Sequence, residues 1–237
     1  MRVLLTGSAG IVGQVLVAGL KEKYALRGFD LKPTPGLEES VVGDLADFAV
    51  VVEATQGMDA VIHLADIGRA DKGWPAILRN NIVATYNVFE AARQSGVRRI
   101  AYASRAGVLS PYPRQMKRTA EMFPLSDSYY TVSKVFGEQL GHMYSSRFGL
   151  EVVCVRVGNI RAEVMRPKGT PVSDIGSFFS HRDCVHLFER CLIQPAIKYE
   201  VVFGVSNNSP CRYDVEYARK ALGYEPQDKM QDFIEKD

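Results

Sequence analysis

The chain has little of what marks several large protein classes. It carries one tryptophan and only four cysteines in 237 residues. Cys154, Cys184, Cys191 and Cys211 form no CxxC pair and lack the close spacing of a disulfide framework or zinc site. His181 and His186 would point roughly 140° apart on a helix. Reduced structural thiols and no metal are therefore expected. No apolar run approaches the roughly 20 residues that span a bilayer, and Gly7, Gly10 and Gly13 interrupt the opening apolar residues before a signal-peptide core develops. The expectation is a cytoplasmic protein with no membrane partner. Charge of one sign is also scarce: the net value is +2 and Lys and Arg are scattered among Asp and Glu, so no basic stripe invites nucleic acid. A small-molecule substrate remains.

What is present is an alternation. Hydrophobic residues make up 46% of the chain, enough for a buried sheet in one compact unit. Short apolar runs at Val3–Leu5, Ala25–Phe29, Ser40–Val42, Ala60–Leu64, Arg99–Ala103, Glu151–Val155 and Glu200–Phe203 read as strands. Between them, apolar residues recur at three- and four-residue intervals over Ile11–Leu20, Phe48–Thr55, Ala76–Ser95, Tyr130–Arg147 and Asp183–Ile193, which read as helices. Trp74 with Pro75 reads as the start of the third, and Ser180 with Asp183 as a helix cap. Strands that alternate with helices predict an α/β fold, a doubly wound parallel sheet with ligands at the carboxyl ends of its strands. The division expected is a dinucleotide-binding core over 1–156 and a small substrate-binding region over 157–237. The Pro- and Gly-rich stretch Arg161–Ser177 reads as a long loop over the substrate.

Three local patterns carry chemistry. The first strand runs into Thr6-Gly7-Ser8-Ala9-Gly10-Ile11-Val12-Gly13 and then a helix. Glycines there permit a tight turn and close approach to a diphosphate, which the helix N-terminus favours. A bland glycine turn is the alternative for that pattern taken alone. The second strand ends at Asp30, where a carboxylate accepts hydrogen bonds from an adenosine ribose and repels a 2′-phosphate. Together these predict a Rossmann fold that binds NAD in preference to NADP, with Arg27 and Lys32 softening that choice. Tyr130 and Lys134 stand one turn apart on one helix face. Bringing a tyrosine into use as a base at neutral pH takes a shift of about three pK units, near 4 kcal/mol, and a neighbouring ammonium contributes to it. Tyr129 would take that place only on a rotated helix.

In order along the chain, the glycine turn, Asp30, Gly43-Asp44-Leu45, His63-Leu64-Ala65, Asn81 and the Tyr130/Lys134 pair resemble the extended short-chain dehydrogenase/reductase family, also called the NAD-dependent epimerase/dehydratase family. Asn81-Ile82, Tyr130 to Glu138, Val155 to Gly158 and Phe178 to His181 are similar to its uronate dehydrogenase branch. The resemblance implies an NAD-dependent oxidoreductase acting on an alcohol or hemiacetal of a small sugar, uronic acid or related hydroxy compound. It implies that Gly7, Gly10, Ile11, Val12, Gly13, Asp30, Asp44, Leu45, Leu64, Ala65, Asn81 and Val157 line the coenzyme. Lys134 would also hold the nicotinamide ribose beside Tyr130, and the long helices would pair into a homodimer.

One departure stands out. Where the family places a Ser or Thr that polarises the substrate oxygen, this chain has Arg105. Ser104 is the substitute expected if the loop shifts by one residue, with Ser126 and Ser128 as others. Arg105 and Asn159 are candidate substrate ligands, the guanidinium suiting a carboxylate or oxyanion. Ala106 and Gly107 stand where dehydratases carry an acidic pair, and the stretch after Arg156 is short for a sugar-nucleotide epimerase. Alternatives left open are a coenzyme-binding protein with lost or altered catalysis, and an epimerase.

Overall fold

In the computed structural model, residues 1–68, 73–162 and 176–234 are described. The strands of the main sheet are β1 (Arg2–Thr6), β2 (Ala25–Asp30), β3 (Ser40–Val42), β4 (Ala60–His63), β5 (Arg99–Arg105), β6 (Glu151–Val157) and β9 (Tyr199–Gly204). All pair in parallel, in the order β3-β2-β1-β4-β5-β6-β9. A small second ladder joins β7 (Asn159–Ile160) to β8 (Phe178–Phe179).

Because successive strand residues point to opposite faces, each central strand feeds two cores. Val3, Leu5, Ala60, Ile62, Ala101, Ala103, Val153 and Val155 pack on one side against α1 (Ile11–Leu20), α6 (His181–Ile193) and α7 (Val215–Leu222). Leu4, Val61, Ile100, Tyr102, Val152 and Cys154 pack on the other against α2 (Phe48–Thr55), α4 (Ala84–Gln94) and α5 (Tyr129–Phe148). A sheet buried on both faces explains why its strands read as unbroken apolar runs and not as alternating ones. The reversal of strand order falls between β1 and β4, and a doubly wound sheet opens its ligand crevice at that point.

Two elements differ from the sequence pattern in ways that matter for the site. The periodicity places the end of β5 at Ala103, yet the strand continues because pairing with β6 continues, Ser104 opposite Arg156 and Arg105 opposite Val157. The helix expected over Ala76–Ser95 begins at Trp74 with Pro75 in its first turn, as α3 (Trp74–Ile77), and passes through a π-helical turn (Leu78–Val83) before α4. Ser180 caps α6 by accepting the Asp183 N–H at 3.0 Å. Most of the long loop expected over 161–177 lies outside the described residues.

Candidate functional site: a coenzyme cleft and an inner pocket

A cleft of about 490 Å³ opens at the carboxyl ends of β1, β2 and β4. Its floor is the glycine turn: Gly7, Ala9, Gly10, Ile11, Val12 and Gly13. Gly7 takes a φ of +72°. A Cβ on Gly7 would lie 2.8 Å from the Ala65 backbone, and one on Gly13 would lie 2.3 Å from the Gly7 carbonyl. The bend is therefore too tight for side chains at either position. No side chain caps α1 at Gly10, which leaves the first N–H groups of the helix for an anion. Asp30 lines the cleft and its Oδ2 accepts the Ala9 N–H at 3.1 Å.

Farther along, Asp44 and Leu45 face Leu64 and Ala65 across the opening. Asp44 is fixed from two sides, by the Ala46 N–H at 2.8 Å and by Arg79 at 2.6 Å. The Ala46 hydrogen bond chiefly holds its carboxyl below the usual range, with Arg79 adding to it against burial. The turn without side chains, the open helix end and the carboxylate beside it together suit an NAD dinucleotide: diphosphate on the glycines, ribose on Asp30, adenine by Asp44 and Leu45. When bound, NAD supplies the two-electron oxidant.

Tyr130 belongs to the wall of this cleft and also to that of a second pocket, of about 510 Å³. The inner pocket is lined by Asp66, Arg105, Lys134, Val157, Asn159 and Tyr213, among others. Ser128 starts α5 by accepting the Thr131 N–H at 3.2 Å, which sets the rotation that turns Tyr130 inward and leaves Tyr129 exposed. Lys134 is buried and donates to the Ala103 carbonyl at 2.9 Å, with its Nζ 5.7 Å from the Tyr130 ring centre.

Arg105 enters the same space. Its guanidinium carbon lies 5.2 Å from the Tyr130 ring centre and NH1 donates to Thr131 Oγ1 at 3.1 Å. Gly107 gives it room, since a Cβ there would stand 2.5 Å from Arg105 Nε. Asn159 reaches the pocket from β7, its amide donating to Ser177 Oγ at 2.8 Å.

Two expected site residues have their side chains engaged by the fold, although Ser104 also lines the inner pocket. The lengthened β5 locks Ser104 into register, and side chains alternate along a strand, so the one-residue shift that would bring its hydroxyl inward is closed off. Ser104 Oγ donates to Glu138 Oε1 at 2.6 Å, within a buried network in which Arg156 makes a bidentate pair with the same carboxylate. Asn81 is buried in the π turn, accepting the Ile67 N–H at 3.0 Å and donating to Ser133 at 2.9 Å, while Asn80 lines the cleft. It braces the loop after β4 against α5.

One site residue had no sequence signal. Asp66, just after β4, lines both pockets and accepts the Tyr130 hydroxyl at 2.9 Å. No motif contains it; only its place after a central strand pointed its way.

The profile of the NAD dependent epimerase/dehydratase family matches residues 3–180. An NAD-dependent glucose-6-phosphate dehydrogenase of Haloferax volcanii is 36% identical, with 98% of this chain and 95% of that protein aligned. A uronate dehydrogenase of Pseudomonas putida is likewise 36% identical over 98% of this chain and 86% of its own length. The crystal structure of uronate dehydrogenase from Agrobacterium tumefaciens superimposes with a TM-score of 0.89 at 34% identity, covering 98% of this chain and 86% of that one. A mutant of that enzyme, complexed with NAD, superimposes with the same score at 33% identity. Fold, site and relatives agree: this chain belongs to the NAD-dependent epimerase/dehydratase family.

Proposed function

We propose that the protein is an NAD-dependent dehydrogenase that oxidises a hydroxyl or hemiacetal group of a small sugar, uronic acid or related hydroxy compound. The observation that carries the reading is Tyr130 on the shared wall of the coenzyme cleft and the inner pocket. A group in that position meets the substrate oxygen where the coenzyme takes up hydrogen from the adjoining carbon. Gly7, Gly10, Ile11, Val12 and Gly13 hold the diphosphate, Asp30 the adenosine ribose, Asp44 and Leu45 the adenine. Leu64, Ala65 and Val157 wall the cleft, and Lys134 meets the nicotinamide ribose. Arg105 and Asn159 contact the substrate, Arg105 standing in for the missing hydroxyl as the donor to its oxygen. The dehydrogenases among the relatives support a sugar as substrate. Exposed Leu78, Val83, Tyr86 and Val132 on the π turn, α4 and α5 support a homodimer. We place it in the cytoplasm without a nucleic-acid partner, on the mixed surface charge.

Arg105 at the hydroxyl position and the buried engagement of Ser104 favour one other reading, a coenzyme-binding protein whose catalysis is lost or altered. Coenzyme reduction followed by absorbance over a panel of aldoses, uronates, sugar phosphates and polyols separates the two. Turnover with a member of the panel that falls by about 10²-fold or more in Tyr130→Phe is the expected result. Saturable NAD binding without turnover on any of them would favour the second reading.

A further inference from the structure

Tyr130 does not stand free in its pocket. Its hydroxyl donates to Asp66 Oδ2 at 2.9 Å, and the same oxygen receives Lys134 Nζ at 2.6 Å. Asp66 Oδ1 takes the Gly68 N–H at 2.7 Å. The lysine that the Tyr-x-x-x-Lys spacing assigns to the phenol is therefore engaged by a carboxylate and by the Ala103 carbonyl. Burial, and next to it Asp66, push Tyr130 well above the ordinary tyrosine range, and only Arg105 acts in the opposite sense. Burial would raise Asp66 as well, but Lys134, Tyr130 and the Gly68 N–H outweigh it and hold the carboxyl below its usual range.

A phenol kept protonated can receive a proton only if it hands its own on. The acceptor in contact with Tyr130 is Asp66. Among the described residues, the other ionisable groups around the carboxylate do not compete for that role. His63 on β4 is neutral and bonded to Thr6 and Thr85. Tyr102 on β5 is a deeply buried phenol. Arg105 on β5 and Lys134 on α5 are cations, and Glu138 is paired with Arg156. Asp66 itself keeps 20% of its side chain exposed and lines both the coenzyme cleft and the inner pocket, so solvent reaches it once the product has left.

We propose that Asp66 is the terminal proton acceptor of the oxidation and Tyr130 the relay, a proposal that rests on the dehydrogenase reading above. The substrate O–H bond breaks and its proton bonds to Tyr130 Oη. The original Tyr130 O–H bond breaks and that proton bonds to Asp66 Oδ2. The C–H bond of the reacting carbon breaks, and its hydrogen and electron pair pass to the oxidised nicotinamide coenzyme, the oxidant. The products are a carbonyl, reduced coenzyme and a protonated Asp66, which gives its proton to water. Lys134 steadies the carboxylate before the transfer, and Tyr130 never passes through a free phenolate.

Two measurements on Asp66→Asn test this. The first uses the ligand-free protein with ring-labelled tyrosine, the Tyr130 resonance being identified by its loss in Tyr130→Phe. Tyr130 is expected to ionise at lower pH in Asp66→Asn than in the native chain; an unmoved titration would overturn the proposal. The second is the pH dependence of kcat. The native enzyme should keep its rate from neutral pH down to the carboxylate range. The variant should lose about 10²- to 10³-fold at pH 7 and regain about tenfold per pH unit toward the tyrosine range, with coenzyme affinity unchanged within about threefold. A native-like acid limb in Asp66→Asn, or a loss of coenzyme affinity with an unchanged pH profile, would overturn it. A native protein inactive on every substrate would instead defeat the dehydrogenase reading, and the tyrosine titration would still report on the Asp66 contact.

Discussion

In the proposed reading, Asp30 and Arg105 are the residues that select coenzyme and substrate. Asp30 is already held at the lip of the glycine turn by the Ala9 N–H, with Lys32 on the same cleft wall. Asp30→Ser removes the charge that repels a 2′-phosphate and leaves the lysine. Coenzyme titrations should move the NADP-to-NAD affinity ratio up by about tenfold, near 1.4 kcal/mol; an unchanged ratio would deny Asp30 its ribose contact. Arg105→Ser restores the hydroxyl the family carries but removes the cation over Tyr130. If Arg105 is the donor to the substrate oxygen, kcat/KM falls by about tenfold or more while coenzyme affinity holds. A gain in kcat/KM would show instead that the arginine blocks the site. Asp30 was legible because it ends the second apolar strand, and Arg105 because it stands where the family pattern has a hydroxyl. Asp66 was not, because its contact with Tyr130 joins the loop after β4 to the first turn of α5, which no local pattern records. The end of β5 was read two residues short for a related reason: where a strand stops depends on its pairing with its neighbour, here β6.

At the scale of elements, β5, β6 and α5 are tied together by one buried carboxylate. Glu138 receives Ser104 and the Nε and Nη2 donors of Arg156, and Arg156 is itself almost fully buried. Glu138→Ala strands that guanidinium without a counter-charge, so denaturant unfolding should record a loss of about 3–5 kcal/mol. A loss under about 1 kcal/mol, the scale of an exposed pair, would mean the network is not what holds α5 to the sheet. The strands and helices themselves were readable almost throughout, since a sheet covered on both faces demands apolar runs and its helices demand amphipathic ones. The π turn was not. It places Asn80 on the cleft and Asn81 in the brace between the β4 loop and α5, a shift of one position that the helical period does not encode.

For the whole molecule, pH stability follows from a buried histidine under the site. Burial, with Lys134 adding to it, holds His63 down to about 3 from an ordinary 6.5, against the opposing pull of Asp66. The folded chain refuses a proton that the unfolded chain accepts. His63 therefore costs nothing above pH ~6.5 and drains up to about 1.4 kcal/mol of stability per unit as pH falls from there toward ~3. The difference in unfolding free energy between native protein and His63→Asn should change along that slope below neutral pH; a difference independent of pH would mean His63 titrates normally. The same sheet that buries His63 opens the crevice between β1 and β4, and the account depends on what fills it. Calorimetric titration with NAD tests that most directly: saturable binding of one coenzyme per chain, weakened in Asp30→Ser, is the predicted outcome, and the absence of binding by both the oxidised and the reduced coenzyme would contradict it.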